Sequence, residues 1–196
     1  MLWMIQRVVL LRAAALASDA RVEQVEHEKW QVKGDPTEGA LVVAAAKAGL
    51  DKAELERAFP REHEIPFSSE TKRMTTLHSS SNGTIAYSKG APEFILDSCV
   101  RQLTGEGEIE LSKANRAEII HTAQEMASEA LRVLAIAYKP GARIEDAERE
   151  LLRVGLGVEV PGAAPEGGLS FVPGDPLAEN LRRFLYYTLL TSTASW

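Results

Sequence analysis

Ser81-Asn82-Gly83 stands between two short runs bounded by turn residues, Met74 to His78 and Thr84 to Lys89. A turn tripeptide of this kind folds one strand back on the next, so this part of the chain is committed to an antiparallel pair. Glu62 to Pro66 reads as a further short strand. Leu131 to Tyr138 is a longer, largely apolar run and reads as a central strand.

Helical signals lie around these runs. Met4 to Ser18 is dominated by Leu, Val and Ala, with Arg7 and Arg12 expected to face water. Trp30 to Lys33 reads as a short strand. Asp35 is a good N-cap, Pro36 suits the first helical position, and Glu38 falls three residues after the cap. The helix they open runs through Ala40 to Ala44 and stops near Gly49. Asp51 to Phe59 and Pro92 to Asp97 read as short helices. Ser112 caps a longer one to Ala130, with Ile120, Ala123, Ala127 and Ala130 expected along one face. Strands and helices mix without regular βαβ alternation. The expected class is α+β, an antiparallel sheet flanked by helices.

The last quarter differs. Glycine and proline are dense from Gly155 to Pro176, which reads as an irregular linker. Leu177 to Thr191 turns helical again, with Leu181, Phe184, Leu185 and Thr188 on one face. The expected division is a domain over residues 1–154, a linker over 155–176 and a helical tail over 177–196.

A chain that is 45% hydrophobic and 26% charged has the material for a core. Its formal charge of -6 argues against a nucleic-acid partner. Cys99 is the sole cysteine, so there is no internal disulfide and no zinc pattern, and it reads as a small buried hydrophobe. The apolar start superficially resembles a secretory signal, but Arg7 and Arg12 interrupt it and no basic cluster precedes it. No apolar run approaches the ~20 residues needed to cross a bilayer.

Familiar catalytic signatures are missing: no P-loop, no Gly-x-Gly-x-x-Gly, no Gly-x-Ser-x-Gly. His27, His63, His78 and His121 have no metal spacing and read as surface or strand histidines. No catalytic residue and no metal ligand is expected. Three segments stand out instead: Gly34-Asp35-Pro36-Thr37-Glu38-Gly39-Ala40-Leu41, then Pro66-Phe67-Ser68-Ser69-Glu70-Thr71-Lys72-Arg73-Met74, then Ser88-Lys89-Gly90-Ala91-Pro92-Glu93. Taken singly, each has a plain reading. Glu38 closes a capping box, Phe67 is core, Lys72 and Arg73 are solvated charges, and Gly90-Ala91-Pro92 is a strand-to-helix turn. Lys89 is harder to explain away, because it joins a strand to that turn.

In this order and spacing the three segments closely resemble the nucleotide-binding domain of P-type cation-transporting ATPases, in the branch of the calcium and sodium/potassium pumps. The resemblance covers roughly residues 5 to 140, and no His-Pro dipeptide of the heavy-metal branch occurs. It implies binding of ATP, with Mg2+ carried on the nucleotide. Phe67 would stack on adenine, Lys89 would sit deep beside the base, and Gly90 would let the backbone approach the nucleotide. Lys72 would reach the phosphates, Glu38 would lie near the adenine amino group, Met74 would line the cleft, and Arg132 would sit near ribose and phosphate. Ser69 stands where calcium pumps carry an arginine, which weakens the expected phosphate grip. The Asp-Lys-Thr-Gly-Thr segment that accepts phosphate in the family is not in the sequence, and the tail from Ala178 to Tyr187 resembles the stalk of the fifth membrane helix. The resemblance therefore implies a chain that binds but does not hydrolyse ATP alone, placed in the cytoplasm or at the cytoplasmic face of a membrane. Two alternatives stay open: a subunit of a split pump, working with the remaining pump domains in trans, and a non-catalytic scaffold remnant.

Overall fold

A computed structural model of the chain describes residues 2–26, 29–129, 131–159 and 170–171. Helix α1 (Leu2–Leu16) leads into strands β1 (Arg21–Glu26) and β2 (Lys29–Lys33), then helices α2 (Pro36–Lys47) and α3 (Lys52–Ala58). Strands β3 (Arg61–Ser68), β4 (Arg73–Ser80) and β5 (Gly83–Gly90) follow, then helix α4 (Pro92–Asp97) and strands β6 (Cys99–Thr104) and β7 (Gly107–Glu110). Helix α5 (Lys113–Ser128) precedes β8 (Arg132–Pro140), β9 (Leu151–Glu159) and β10 (Ser170–Phe171).

The main sheet has the order β3-β4-β5-β8-β9-β6-β7, antiparallel except between β6 and β9. A small sheet pairs β1, β2 and β10. The α+β class with an antiparallel sheet flanked by helices is what the chain adopts, and β8 is central as its apolar run predicts.

Local chemistry accounts for the ends of elements. Asp35 accepts from the Thr37 and Glu38 amides at 2.9 and 3.2 Å and starts α2, with Pro36 in the first turn. Ser112 does the same for α5 through the Asn115 amide. The β4–β5 hairpin closes at the Ser80–Gly83 pair. Gly83 alone takes the left-handed conformation there, at φ 99°, while Ser81 and Asn82 stay at negative φ. Glycine enters that region without the strain a side chain would bring.

The core lies between α1 and the sheet. Leu10, Leu11 and Ala13 to Ala17 are buried with Tyr87, Ile136, Leu152 and Val154. Alanines on this helix let it approach the strands closely, so a larger side chain there would overpack. Arg12 does not face water as expected: its guanidinium lies 4.8 Å from the centre of the Phe59 ring and 5.9 Å from that of Tyr87. On α5 the buried face is Ile119, Ala123 and Met126, not the expected line through Ala127, which is exposed. A second core layer, with Ile95, Leu96 and Cys99, packs α4 and α5 on the sheet.

The expected linker boundary after residue 154 falls inside β9, whose ladder with β8 runs on to the Arg132–Glu159 pair. Backbone pairing carries the strand through Gly155 and Gly157 despite their poor strand propensity. Ser170–Phe171, also inside the expected linker, pairs with β2. The rest of that linker and the expected helical tail over 177–196 lie outside the described residues.

Candidate functional site

Lys89 sits near the end of β5, opposite Met74 on β4 and Ile136 on β8. It is only 8% exposed. Its ammonium lies 2.6 Å from Glu38 Oε1, donates to the Ala17 carbonyl, and stands 3.4 Å from Ser18 Oγ and 3.5 Å from Met74 Sδ. Burial pushes this ammonium below the usual lysine range, and the Glu38 carboxylate opposes that push.

Glu38 does not close a capping box. Its Oε2 accepts from the amides of Asp19 (2.6 Å) and Ala20 (3.0 Å), so both carboxylate oxygens are used outside the helix. Each of these bonds carries charge on at least one side and is stronger than a neutral one.

The same turn gathers more cations. The Leu16 and Ser18 carbonyls accept from Arg61 Nη2 at 3.0 and 3.2 Å, and Lys52 donates to the carbonyls of Ser18 and Ala20. Arg61 also pairs with Asp19 at 2.7 Å. The last carbonyls of α1 lack partners within the helix and carry its negative dipole end, so basic side chains satisfy both needs. Three distant elements, α3, β3 and β5, supply them. This hub was not legible in the sequence, because its cations lie 32 to 72 residues from the carbonyls they reach.

Phe67 is not core: it is 64% exposed. The β3–β4 register shifts between Ile65 and Ser68, where Pro66 has no amide to donate. Ser68 pairs Arg73, and Arg73 pairs Gly90, so Phe67 belongs to the same end of the sheet as Met74 and Lys89. Lys72, in the turn between β3 and β4 at φ 46°, is exposed and carries its ammonium 5.8 Å from the Phe94 ring centre.

Gly90 is demanded by protein, not only by any ligand. A Cβ there would fall 2.4 Å from the Lys72 carbonyl oxygen and 2.8 Å from Arg73 Cα. The neighbouring Ala91 amide donates to that same carbonyl at 3.0 Å. Arg132 opens β8 and donates to Thr37 Oγ1 at 2.6 Å, beside the start of α2. The fold thus brings Glu38, Met74 and Lys89 into contact, with Gly90 next in the chain and Arg132 one residue from Glu38 through Thr37. Phe67 and Lys72 stand at the exposed rim.

His78 is buried, with Nδ1–H donating to the Phe59 carbonyl at 2.8 Å and Nε2 2.9 Å from Thr76 Oγ1. Cys99 is buried as expected, and burial pushes its thiol up to about 12. Among the described residues no cluster of three His, Cys, Asp or Glu could hold a metal, and no helix is long and apolar enough to cross a membrane. A cleft of about 530 Å3 lies elsewhere, lined by residues that include Arg21, Val42, Lys47, Lys52 and Glu56. Its described walls hold no aromatic ring, so it offers a base nothing to stack on.

This arrangement belongs to a known class. Residues 7–157 match the family described as P-type ATPase, cytoplasmic domain N, and the chain belongs to that family. Among its relatives is the Probable cation-transporting ATPase F of Mycobacterium tuberculosis, 35% identical over 86% of this chain and 18% of that protein. The Cation-transporting ATPase pma1 of Synechocystis is 44% identical over 59% of this chain and 13% of its own length. The Calcium-transporting ATPase 1 of Bacillus cereus is 35% identical over 78% of this chain and 17% of its own. The chain spans less than a fifth of the length of these relatives.

Proposed function

We propose that this chain binds an adenine nucleotide at the end of the sheet where Phe67, Met74, Lys89 and Gly90 meet Glu38. One observation carries the reading: a buried, carboxylate-paired ammonium at the same sheet end as a largely exposed phenylalanine, in a P-type ATPase N domain. Phe67 is available to stack on the base, a contact worth about 1–3 kcal/mol. Lys89 lies deep beside the base, and Glu38 lies near the adenine amino group. Lys72 is the mobile point charge for the phosphates, and Arg132 serves ribose and phosphate. Mg2+ arrives with the nucleotide rather than on protein carboxylates.

The affinity is modest, roughly high micromolar to millimolar, or about -4 to -6 kcal/mol. Ser69 adds no charge at the phosphate end. Binding goes without turnover in this chain, because phosphoryl transfer needs an in-line acceptor and a metal clamp, and the acceptor segment is not in this sequence. In a full pump the domain would deliver ATP to partner domains on the cytoplasmic side.

Titration with ATP followed by amide NMR tests the reading. Phe67→Ala should lower affinity at least about tenfold while changing stability by less than about 0.5 kcal/mol, since the ring is mostly in water. Lys89→Met should also lose most binding. Unchanged ATP affinity in both folded variants would sink the site.

A further inference from the structure

The end of the sheet that carries Met74 and Lys89 has a reverse face. The β4–β5 ladder pairs Arg73 with Gly90, Met74 with Lys89 and Thr75 with Ser88. Side chains alternate along a strand, so Arg73, Thr75 and Ser88 point away from the face of Met74 and Lys89. The connection between β8 and β9 covers that reverse face, where Ala142 and Ala147 cluster with Leu77 and Ala86. The connection is pinned locally: Asp146 accepts from the Arg143 amide at 2.9 Å and stands 3.4 Å from the Lys139 ammonium.

Glu148, in the same connection, spends both carboxylate oxygens on β4. Oε2 pairs with Arg73 Nη2 at 3.0 Å, and Oε1 accepts from Thr75 Oγ1 at 2.8 Å. A carboxylate only accepts, so Thr75 gives it its proton, and the Ser88 hydroxyl donates to Thr75 across the ladder at 2.8 Å. Thr75 and Ser88 are fully buried, and the Arg73 and Glu148 side chains are only 15% and 17% exposed. Arg73 Nη1 also donates to Ser98 Oγ at the end of α4. Without the carboxylate Arg73 would be a largely buried charge with no ion pair, an arrangement costly enough to move it.

The position of Arg73 matters to the site in front. Its backbone pairs with Ser68 on β3 and with Gly90 on β5, so it joins the strand of Phe67 to the strand of Lys89. Lys72 precedes it, and the Lys72 carbonyl accepts from the Ala91 amide. A single added carbon at Gly90 would collide with that carbonyl and with Arg73 Cα, so the junction has no slack. Displacing Arg73 therefore displaces Phe67, Lys72 and Lys89 relative to one another.

We propose that Glu148 is a positioning residue for the nucleotide site: through Arg73 and Thr75 it fixes the spacing of the strands that present Phe67, Met74 and Lys89, and so sets the affinity for an adenine nucleotide. The inference rests on the nucleotide reading of that site. Glu148 acts from behind the sheet and touches no nucleotide itself.

The test is ATP titration of the full chain with its methionine methyl groups labelled for NMR, each variant held well below its melting midpoint. Glu148→Gln should weaken ATP binding at least about fivefold. Before any ATP is added, it should displace the Met74 methyl signal and leave that of Met126, in the core under α1, in place. Arg73→Met should weaken binding to a similar extent, and adding Glu148→Gln to it should change affinity less than about twofold. The double variant buries no unmatched charge at this place, so its weakened binding remains measurable if Glu148→Gln alone does not fold. A wild-type chain that binds ATP and a Glu148→Gln chain that binds it equally well would overturn this inference alone. So would equal displacement of the Met74 and Met126 signals, which marks general loosening, or a full Glu148→Gln effect persisting in the Arg73→Met background. A wild-type chain that binds no ATP would overturn the nucleotide reading and this inference with it.

Discussion

Lys89 and Arg153 are two buried cations on the two strands that flank β8, opposite consecutive residues Ile136 and Ala137. Their surroundings differ completely. Lys89 has a carboxylate at 2.6 Å, a helix-terminal carbonyl and a hydroxyl. Arg153 has one long contact to an amide oxygen and two guanidinium nitrogens without partners among the described residues. Depth in the fold is therefore a poor guide to what a buried charge does. The first is tied into a polar network that organises the end of α1 and the start of α2. The second is a charge that no carboxylate pairs with among the described residues.

The sharpest way to break this contrast is Glu38→Leu. It strips Lys89 of its counter-charge and leaves the Asp19 and Ala20 amides without their acceptor. Urea unfolding should reveal a loss of about 3–5 kcal/mol, and a loss under 1 kcal/mol would dissolve the distinction. Arg153→Met should go the other way, with a gain of about 1–4 kcal/mol, because a shape-matched apolar chain removes the desolvation cost. A comparable loss would mean that Arg153 is as well compensated as Lys89. Arg61→Gln sharpens the comparison from the network side. It removes the ion pair to Asp19 and weakens the bonds to Leu16 and Ser18, and it should cost about 1–3 kcal/mol by the same assay.

The smallest effect concerns Lys52, the third cation at the end of α1. Burial pulls its ammonium from 10.5 down to about 8, against the attraction of Glu56. Folded and unfolded chains are both protonated below about 8, so this group adds no pH dependence there. Between about 8 and 10.5 the unfolded chain holds the extra proton, so stability should rise with pH. Lys89 acts in the same direction, so the informative quantity is the difference from Lys52→Met, measured as thermal midpoints from pH 8 to 10. An identical slope in the variant would place that titration elsewhere.

Legibility in the sequence followed the range of the interactions. The starts of α2 and α5, the Ser81-Asn82-Gly83 hairpin and the turn into α4 rest on side chains that act within a few residues of themselves, and these were readable. β1, β6 and β7 were not. Arg-Val-Glu-Gln-Val-Glu and Cys-Val-Arg-Gln-Leu-Thr have no clean alternation, and β7 is four mostly polar residues. They are strands because partners align with them. β9 was misread for the same reason, since its glycines suggest a linker and its ladder to β8 overrides them.

For the candidate site, the three segments named the residues and the family, but not their arrangement. Glu38 sits three residues after an N-cap, and sequence alone left a capping box open beside a place near the adenine amino group; its pairing with Lys89 came only with the structure. Gly90 was expected to make room for a ligand, and the backbone of Lys72 and Arg73 already requires it. By itself the sequence determined the elements with local caps and turns, the apolar content of the core, and the three segments that define the family. The tertiary structure alone decided which charges meet, since bonds such as Lys89 to Ala17 span 72 residues and exist only once the sheet has assembled against α1. It also decided which charges are left unmatched: nothing near Arg153 in the chain foretells that packing will bury it with no carboxylate paired to it among the described residues.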